Sequence, residues 1–276
     1  MITRNHYIEQ IKGFYDSDLI KIIVGIRRSG KSIILEQIMN DIKNKTDNII
    51  YLNFEDEAIT TNIYNAETLI KYVNDNRKEG KCYIFLDEIQ LIDNWNNAVK
   101  SLRLHNNSVF ITGSNSKLLS KDLTTFLTGR YISIELYPFS FSEFCKYKEE
   151  LNEKCIFKNE LNSPLENLFD EYLNYGGFPL AIMAKDYKTI VLNDLFSSIV
   201  LNDVVKRYEI RNVGLFFRIT KYLMENVGNL ISVNSIYNYL KHEDLKLTKN
   251  TVYNYLSYLE DAYFLLNENK EDLFGK

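Results

Sequence analysis

The residues best equipped for chemistry sit near the amino terminus, in Gly25-Ile26-Arg27-Arg28-Ser29-Gly30-Lys31-Ser32. Glycines at the spacing of Gly25 and Gly30 let the backbone curl until several N–H groups point at one anion. A helix starting just after adds its positive end. Lys31 is then placed for the β- and γ-phosphates of a nucleotide, and the Ser32 hydroxyl for Mg²⁺. Ser29 and Ile33 complete the segment expected to touch nucleotide. Of Arg27 and Arg28, one is expected on phosphate and the other bracing the loop against a carboxylate.

A second constellation is Tyr83-Ile84-Phe85-Leu86-Asp87-Glu88, an apolar run ending in two carboxylates. At the carboxyl edge of a parallel sheet, Asp87 would hold the Mg²⁺ hydration shell and Glu88 would polarise an attacking water. Alone, such a pair reads as a solvated loop start; behind a phosphate loop it reads as catalytic. A glutamate at this strand end also separates ATPases with an additional strand from small kinases. The run Ser108–Thr112 leads into Gly113-Ser114-Asn115; its polar end is expected between the two motif strands, where Ser114 or Asn115 would orient the water or contact the γ-phosphate. Helix capping is the plainer alternative. Arg130 is the candidate for the positive charge that offsets the leaving phosphate, acting in cis or from a neighbouring subunit. Pairing with Glu55 or Asp56 is its alternative.

These groups need a scaffold that alternates strands and helices, and the first half of the chain supplies one. Strands are expected at 21–25, 49–54, 83–86, 108–112 and 131–136. Helices are expected at 30–43, 66–77, 95–104 and 116–127. Four strands are near-continuously apolar, as strands covered on both faces should be; the fifth alternates and suits an edge. The fold class implied is an α/β P-loop NTPase, with a five-stranded parallel sheet between helices. From 146 to 164 the chain turns polar and charged, which suggests a boundary, although a solvated helical hairpin would read the same way, and from Leu165 onward it is helical. The reading is a P-loop core over 1–150, a small helical lid over 151–210 and a winged-helix domain over 211–276. In the last, Ser232 and Thr248 can cap helices, Val252, Leu256 and Leu259 form an apolar stripe, and Phe264–Leu266 reads as a wing strand.

Composition sets the outer limits. The chain has 276 residues and a net charge of −4, so it has no overall pull on nucleic acid or anionic lipid. Its three cysteines form no C-x-x-C pair and no zinc cluster with His6, His105 and His242. No apolar run is long enough to span a bilayer. With no signal peptide in view, a cytoplasmic protein is expected.

With these residues in place, the chain resembles the AAA-type ATPases of bacteria and archaea, of the AAA+ superfamily. The resemblance rests on the G-x-R-R-x-G-K-S loop (Walker A), Leu86-Asp87-Glu88-Ile89-Gln90 (Walker B), Ile111-Thr112-Gly113-Ser114-Asn115 and Leu127-Thr128-Gly129-Arg130-Tyr131. Leu136–Phe144 looks like the family's L-x-P-F-S-F-x-E-F segment. Tyr175-Gly176-Gly177-Phe178-Pro179 is similar to a segment shared with the signal-transduction ATPases with numerous domains. The resemblance implies ATP and Mg²⁺ as cofactors, and Pro179 as a sensor that couples bound nucleotide to lid position. A turn before the next helix is the alternative for Pro179. Longer family members continue into a further, often nuclease-like region. This chain stops at Lys276, so nuclease activity is unsupported and the winged helix reads as truncated.

The expected function is an ATP-binding, Mg-dependent ATP-hydrolysing switch. ATP and ADP are its ligands, and a homo-oligomer or a protein partner is left open. The alternative is a winged-helix DNA-binding regulator in which ATP is mainly structural. Lys246, Lys249, Asn250, Tyr253, Asn254 and Ser257 lie off the apolar stripe and could face a major groove. Charge argues against it: residues 232–276 carry five lysines and seven acids, a net −2, and phosphate neutralisation normally supplies most DNA affinity.

Overall fold

A computed structural model describes residues 3–114, 129–150, 163–241 and 247–266. Five parallel strands form one sheet: β1 (Ile20–Val24), β2 (Ile49–Asn53), β3 (Cys82–Asp87), β4 (Asn107–Gly113) and β5 (Tyr131–Glu135), in the order β2-β3-β4-β1-β5. All five match the expected runs to within a residue or two. Strands β1, β3 and β4 are buried along their whole length, as interior parallel strands should be. β5 is an edge as expected; β2 is the other edge, and its Tyr51 is 41% exposed.

One helix precedes β1 and others connect the parallel strands. They are α1 (Asn5–Lys12), α2 (Lys31–Lys43), α3 (Glu57–Thr60), α4 (Ala66–Asn76) and α5 (Trp95–Arg103). One face of the sheet is sealed by Ile34, Leu35, Ile38 and Ile42 of α2 and Ile11 of α1, over Ile23, Phe85 and Phe110. The rings of Phe85 and Phe110 stack with centroids 4.6 Å apart. The expected helix at 116–127 and the candidate Asn115 lie outside the described residues.

The chain clusters into two compact units, 1–193 and 194–276, whereas the sequence suggested divisions near 150 and 210. The first unit includes α6 (Phe141–Glu150), α7 (Pro164–Tyr175) and α8 (Pro179–Met183). The polar stretch from 146 thus begins within a helix, and its residues 151–162 lie outside the described residues. A buried charge cluster joins these helices: Glu171 Oε1 accepts from Lys148 Nζ at 3.0 Å and from Lys188 Nζ, all three at most 2% exposed. Lys188 opens α9 (Lys188–Ser198), which continues in π-helical form through Ile199–Lys206.

The second unit holds α10 (Val213–Glu225), α11 (Val233–Leu240) and α12 (Lys249–Asp261). Ser232 and Thr248 cap α11 and α12, accepting from the N–H groups of Ser235 and Thr251. Phe216 of α10 packs edge-on to Tyr255 of α12 at 5.2 Å, beside buried Val252 and Leu259. Phe264–Leu266 is not a strand. Tyr263 turns at φ 55°, and the N–H groups of Phe264 and Leu265 both fold back to the Leu259 carbonyl, so the segment closes α12 instead.

Candidate nucleotide site

The phosphate loop bridges β1 and α2. Its curl comes from three left-handed residues, Gly25 (φ 147°), Arg28 (φ 63°) and Gly30 (φ 100°). Gly25 is required twice over, because a Cβ there would lie 2.1 Å from the Leu136 carbonyl oxygen, in addition to its positive φ. That close approach accompanies the hydrogen bond from Leu136 N–H to the Val24 carbonyl at 2.7 Å. Helix α2 opens at Lys31 with no side-chain cap on its first turn, so its leading N–H groups are left for a ligand. The Ser29 hydroxyl is fully buried and finds no partner among the described residues. Both observations fit a phosphate cradle.

Lys31 is 5% exposed, and its ammonium donates to the Gly25 and Ile26 carbonyls at 3.1 and 3.2 Å. It also stands 3.6 Å from Glu88 Oε1. Arg27 reaches Glu55 at 3.4 Å, the kind of carboxylate contact expected of a bracing arginine, while Arg28, Ser32 and Ile33 are exposed at the loop and the start of α2.

The acidic pair lies across β4 from the loop, since β4 is inserted between β1 and β3. Asp87 ends β3 and is 1% exposed; Thr112 donates to its Oδ1 and Tyr51 to its Oδ2 at 3.2 Å. Glu88 takes a left-handed φ of 52°, and its N–H is held by Thr112 Oγ1 at 3.0 Å. Holding a non-glycine residue there costs on the order of 1 kcal/mol, and the Thr112 bond helps to fix it. The Glu88 carboxylate accepts at Oε2 from Gln90 Nε2 at 2.5 Å, Ser114 Oγ at 3.2 Å and Ser114 N–H at 3.3 Å.

Lys31, Asp87, Glu88 and Ser114 therefore converge at the carboxyl edge of the sheet. Arg130 does not join them in the same chain. Its carbonyl accepts from Ile20 N–H at 2.9 Å, at the amino end of β1 and β5. The loop follows Val24 at the other end, roughly 15 Å away at about 3.3 Å per residue. The in-cis alternative is thus corrected by register, and the pairing with Glu55 is not made, since Glu55 faces Arg27. Pro179 stands in the first turn of α8. Just before it, the Gly177 carbonyl accepts from Phe139 N–H at 2.7 Å, and a Cβ on Gly177 would meet the Phe139 oxygen at 2.0 Å. The segment 136–139 thus touches Gly25 at one end and Gly177 at the other.

Four partners were given no role in the sequence: Tyr51 and Arg4, and, within the motif segments, Gln90 and Thr112. Arg4 is 4% exposed and spends its guanidinium on Glu143 (2.7 and 2.9 Å), the Tyr137 carbonyl (2.9 Å) and the Ser29 carbonyl (3.3 Å). Only the strand-end position of Thr112, level with Asp87 once β4 is placed beside β3, carried a signal.

A parallel sheet in this strand order, with a glycine-lysine loop after β1 and an acid pair after β3, defines a P-loop domain of the additional-strand class. The AAA domain family model matches residues 17–145, and a domain family of unknown function (DUF8612) matches residues 166–268. An uncharacterized protein of Haemophilus influenzae is 36% identical over 283 residues, covering 100% of this chain and 68% of its own length. One from Methanocaldococcus jannaschii is 38% identical over 252 residues, covering 90% of this chain and 56% of its own. The chain belongs to the nucleotide-binding AAA family, and spans about two thirds and little more than half of these two relatives. Similar solved structures include the Aeropyrum pernix Orc1 protein in complex with DNA, with 14% identity, TM-score 0.45, and coverage of 95% of this chain and 84% of that one. The replication initiator DnaA bound to AMPPCP and single-stranded DNA has 16% identity, TM-score 0.46, and coverage of 95% and 83%. Among the described residues, no helix is long and apolar enough to cross a membrane.

Proposed function

We propose that the chain is an ATP-hydrolysing switch. The observation that carries this reading is the convergence of Lys31 on Glu88, at 3.6 Å, across a strand whose Thr112 and Ser114 hold both carboxylates. The α2 amino end, the Gly25–Ser32 backbone and Lys31 bind the triphosphate, with Lys31 leaving the Gly25 and Ile26 carbonyls to do so. Ser32 and Asp87 are the residues that would hold Mg²⁺, which when bound neutralises charge on the phosphate oxygens. Glu88 orients and polarises the attacking water, and Ser114 fixes the carboxylate that does it. Pro179 and the 136–139 segment pass the occupancy of the loop to the helical part. Of the two loop arginines Arg28 is the one for phosphate, and a neighbouring copy supplies a further arginine, with Arg130 its candidate.

The test is phosphate release from Mg-ATP by wild type, Glu88→Gln and Lys31→Ala. Glu88→Gln is expected to lose about 10²-fold or more in turnover while retaining ATP binding, and Lys31→Ala to lose binding. Wild-type protein that binds ATP tightly without turnover would sink the autonomous ATPase. The DNA-regulator alternative keeps one supporting observation, the exposure of Lys249, Asn250, Tyr253, Asn254 and Ser257 on α12. It predicts salt-sensitive duplex binding that weakens on changing Lys249 and Asn250.

A further inference from the structure

We infer that Tyr51 is the positioning residue for Asp87, and through it for the divalent cation; this rests on the nucleotide-switch reading above. The argument starts from strand register. In the parallel pairing of β2 with β3, Tyr51 lies level with Phe85 and Asn53 with Asp87. Side chains two apart on a strand share a face, so Tyr51, Phe85 and Asp87 all point to the side covered by α2, where Lys31 and Ser32 begin the helix. Tyr51 is one strand over and one side-chain repeat below Asp87, a gap of about 4.8 Å across and about 6.6 Å along the strands. A serine or threonine hydroxyl at position 51 would stay at its own level. A para-hydroxyl carried on an aromatic ring, leaning along the strand, spans the gap, and it arrives 3.2 Å from Asp87 Oδ2.

The Asp87 carboxylate is thereby held from both ends, because Thr112 donates to the other oxygen, Oδ1. Each oxygen has two acceptor positions, so one remains on each for the waters around a cation. With both donors present the carboxylate plane is set; with one, it can turn about Cβ–Cγ. Facing an ionised carboxylate, which can only accept, the phenol O–H is the donor in this bond. Tyr51 is 41% exposed on an edge strand, yet its hydroxyl turns to Asp87. The hydroxyl is the part with a function.

Hydrogen-bond partners of a metal's ligands typically contribute about 10- to 100-fold to metal affinity, and Asp87 meets the cation through its waters, which places Tyr51 at the lower end. Tyr51→Phe removes one hydroxyl and keeps the ring, so the fold is retained, which an unchanged melting temperature verifies. The probe is a fluorescent N-methylanthraniloyl ATP, titrated into the full chain in EDTA and then with increasing MgCl₂. The expected result is unchanged nucleotide affinity in EDTA, and a roughly tenfold higher MgCl₂ midpoint for the cation-dependent gain in binding. An unchanged MgCl₂ midpoint overturns the role of Tyr51 and leaves the nucleotide reading standing. A wild-type chain that binds the probe with no response to MgCl₂, or does not bind it, overturns both. Loss of affinity already in EDTA overturns the inference as well, because it would show the hydroxyl acting on nucleotide or loop rather than on the cation.

Discussion

Replacing Lys21 by methionine tests what a charge costs inside this sheet. Lys21 lies on interior strand β1 with no exposed surface. Its ammonium donates to Ser108 Oγ at 2.7 Å and the Ser17 carbonyl at 2.9 Å, and sits 5.0 Å from the Phe110 ring centre. Burial, helped by the charge of Lys81 and opposed by Asp16 and Asp18, lowers its pKa from 10.5 to about 7. A folded pKa below the unfolded one means that folding releases a proton between those values. Stability therefore rises with pH through that window, and the penalty is complete below it. At about 1.4 kcal/mol per pH unit the window is worth roughly 4–5 kcal/mol. Methionine removes that penalty but also two hydrogen bonds of about 1 kcal/mol each. Lys21→Met should thus stabilise by roughly 2–3 kcal/mol at pH 6, with the advantage shrinking and then reversing towards pH 10. Urea unfolding followed by Trp95, the sole tryptophan, reads the unit that carries Lys21. The difference between the two proteins isolates this group from every other titration. A difference that stays flat from pH 6 to pH 9.5 would refute the reasoning.

Gly177→Ala places a Cβ 2.0 Å from the Phe139 carbonyl, which the backbone can only relieve by moving. A loss of about 2 kcal/mol or more is expected, read as a lowered melting temperature. Arg4→Gln leaves Glu143 without its bidentate partner and should cost about 3 kcal/mol; chemical denaturation measures it. Burial raises the Glu143 pKa, but the bonds from Arg4 and Ser140 outweigh it and hold the group below the ordinary carboxylate range. Its stabilisation is therefore present above the unfolded pKa and fades as pH falls through the folded one. Arg4→Gln should flatten that acid limb of the stability curve.

How much of this was legible follows from the range of the forces involved. The phosphate loop and the acid pair could be read because each is a local device: a glycine spacing that bends backbone, and an apolar run that ends in carboxylates. The strands were legible for the same reason, since interior parallel strands are continuously apolar. Phe264–Leu266 has the composition of a strand but no partner strand among the described residues, and local hydrogen bonds to Leu259 decide it instead. Strand order was legible only in part: the 108–112 run was expected between the two motif strands, as β4 is, while no local pattern said which pairs would meet across them. Inserting β4 between β1 and β3 brings Thr112 and Ser114 to the two carboxylates, while the β1–β5 register puts Arg130 at the far end of the sheet. Tyr51, 36 residues from Asp87, and Arg4, 139 from Glu143, meet their partners only because the sheet and its covering helices close. The sequence by itself determined which groups could do phosphate chemistry. The tertiary structure alone decided which of them face one another, because hydrogen bonds and ion pairs act over a few ångströms and only folding brings distant residues that close.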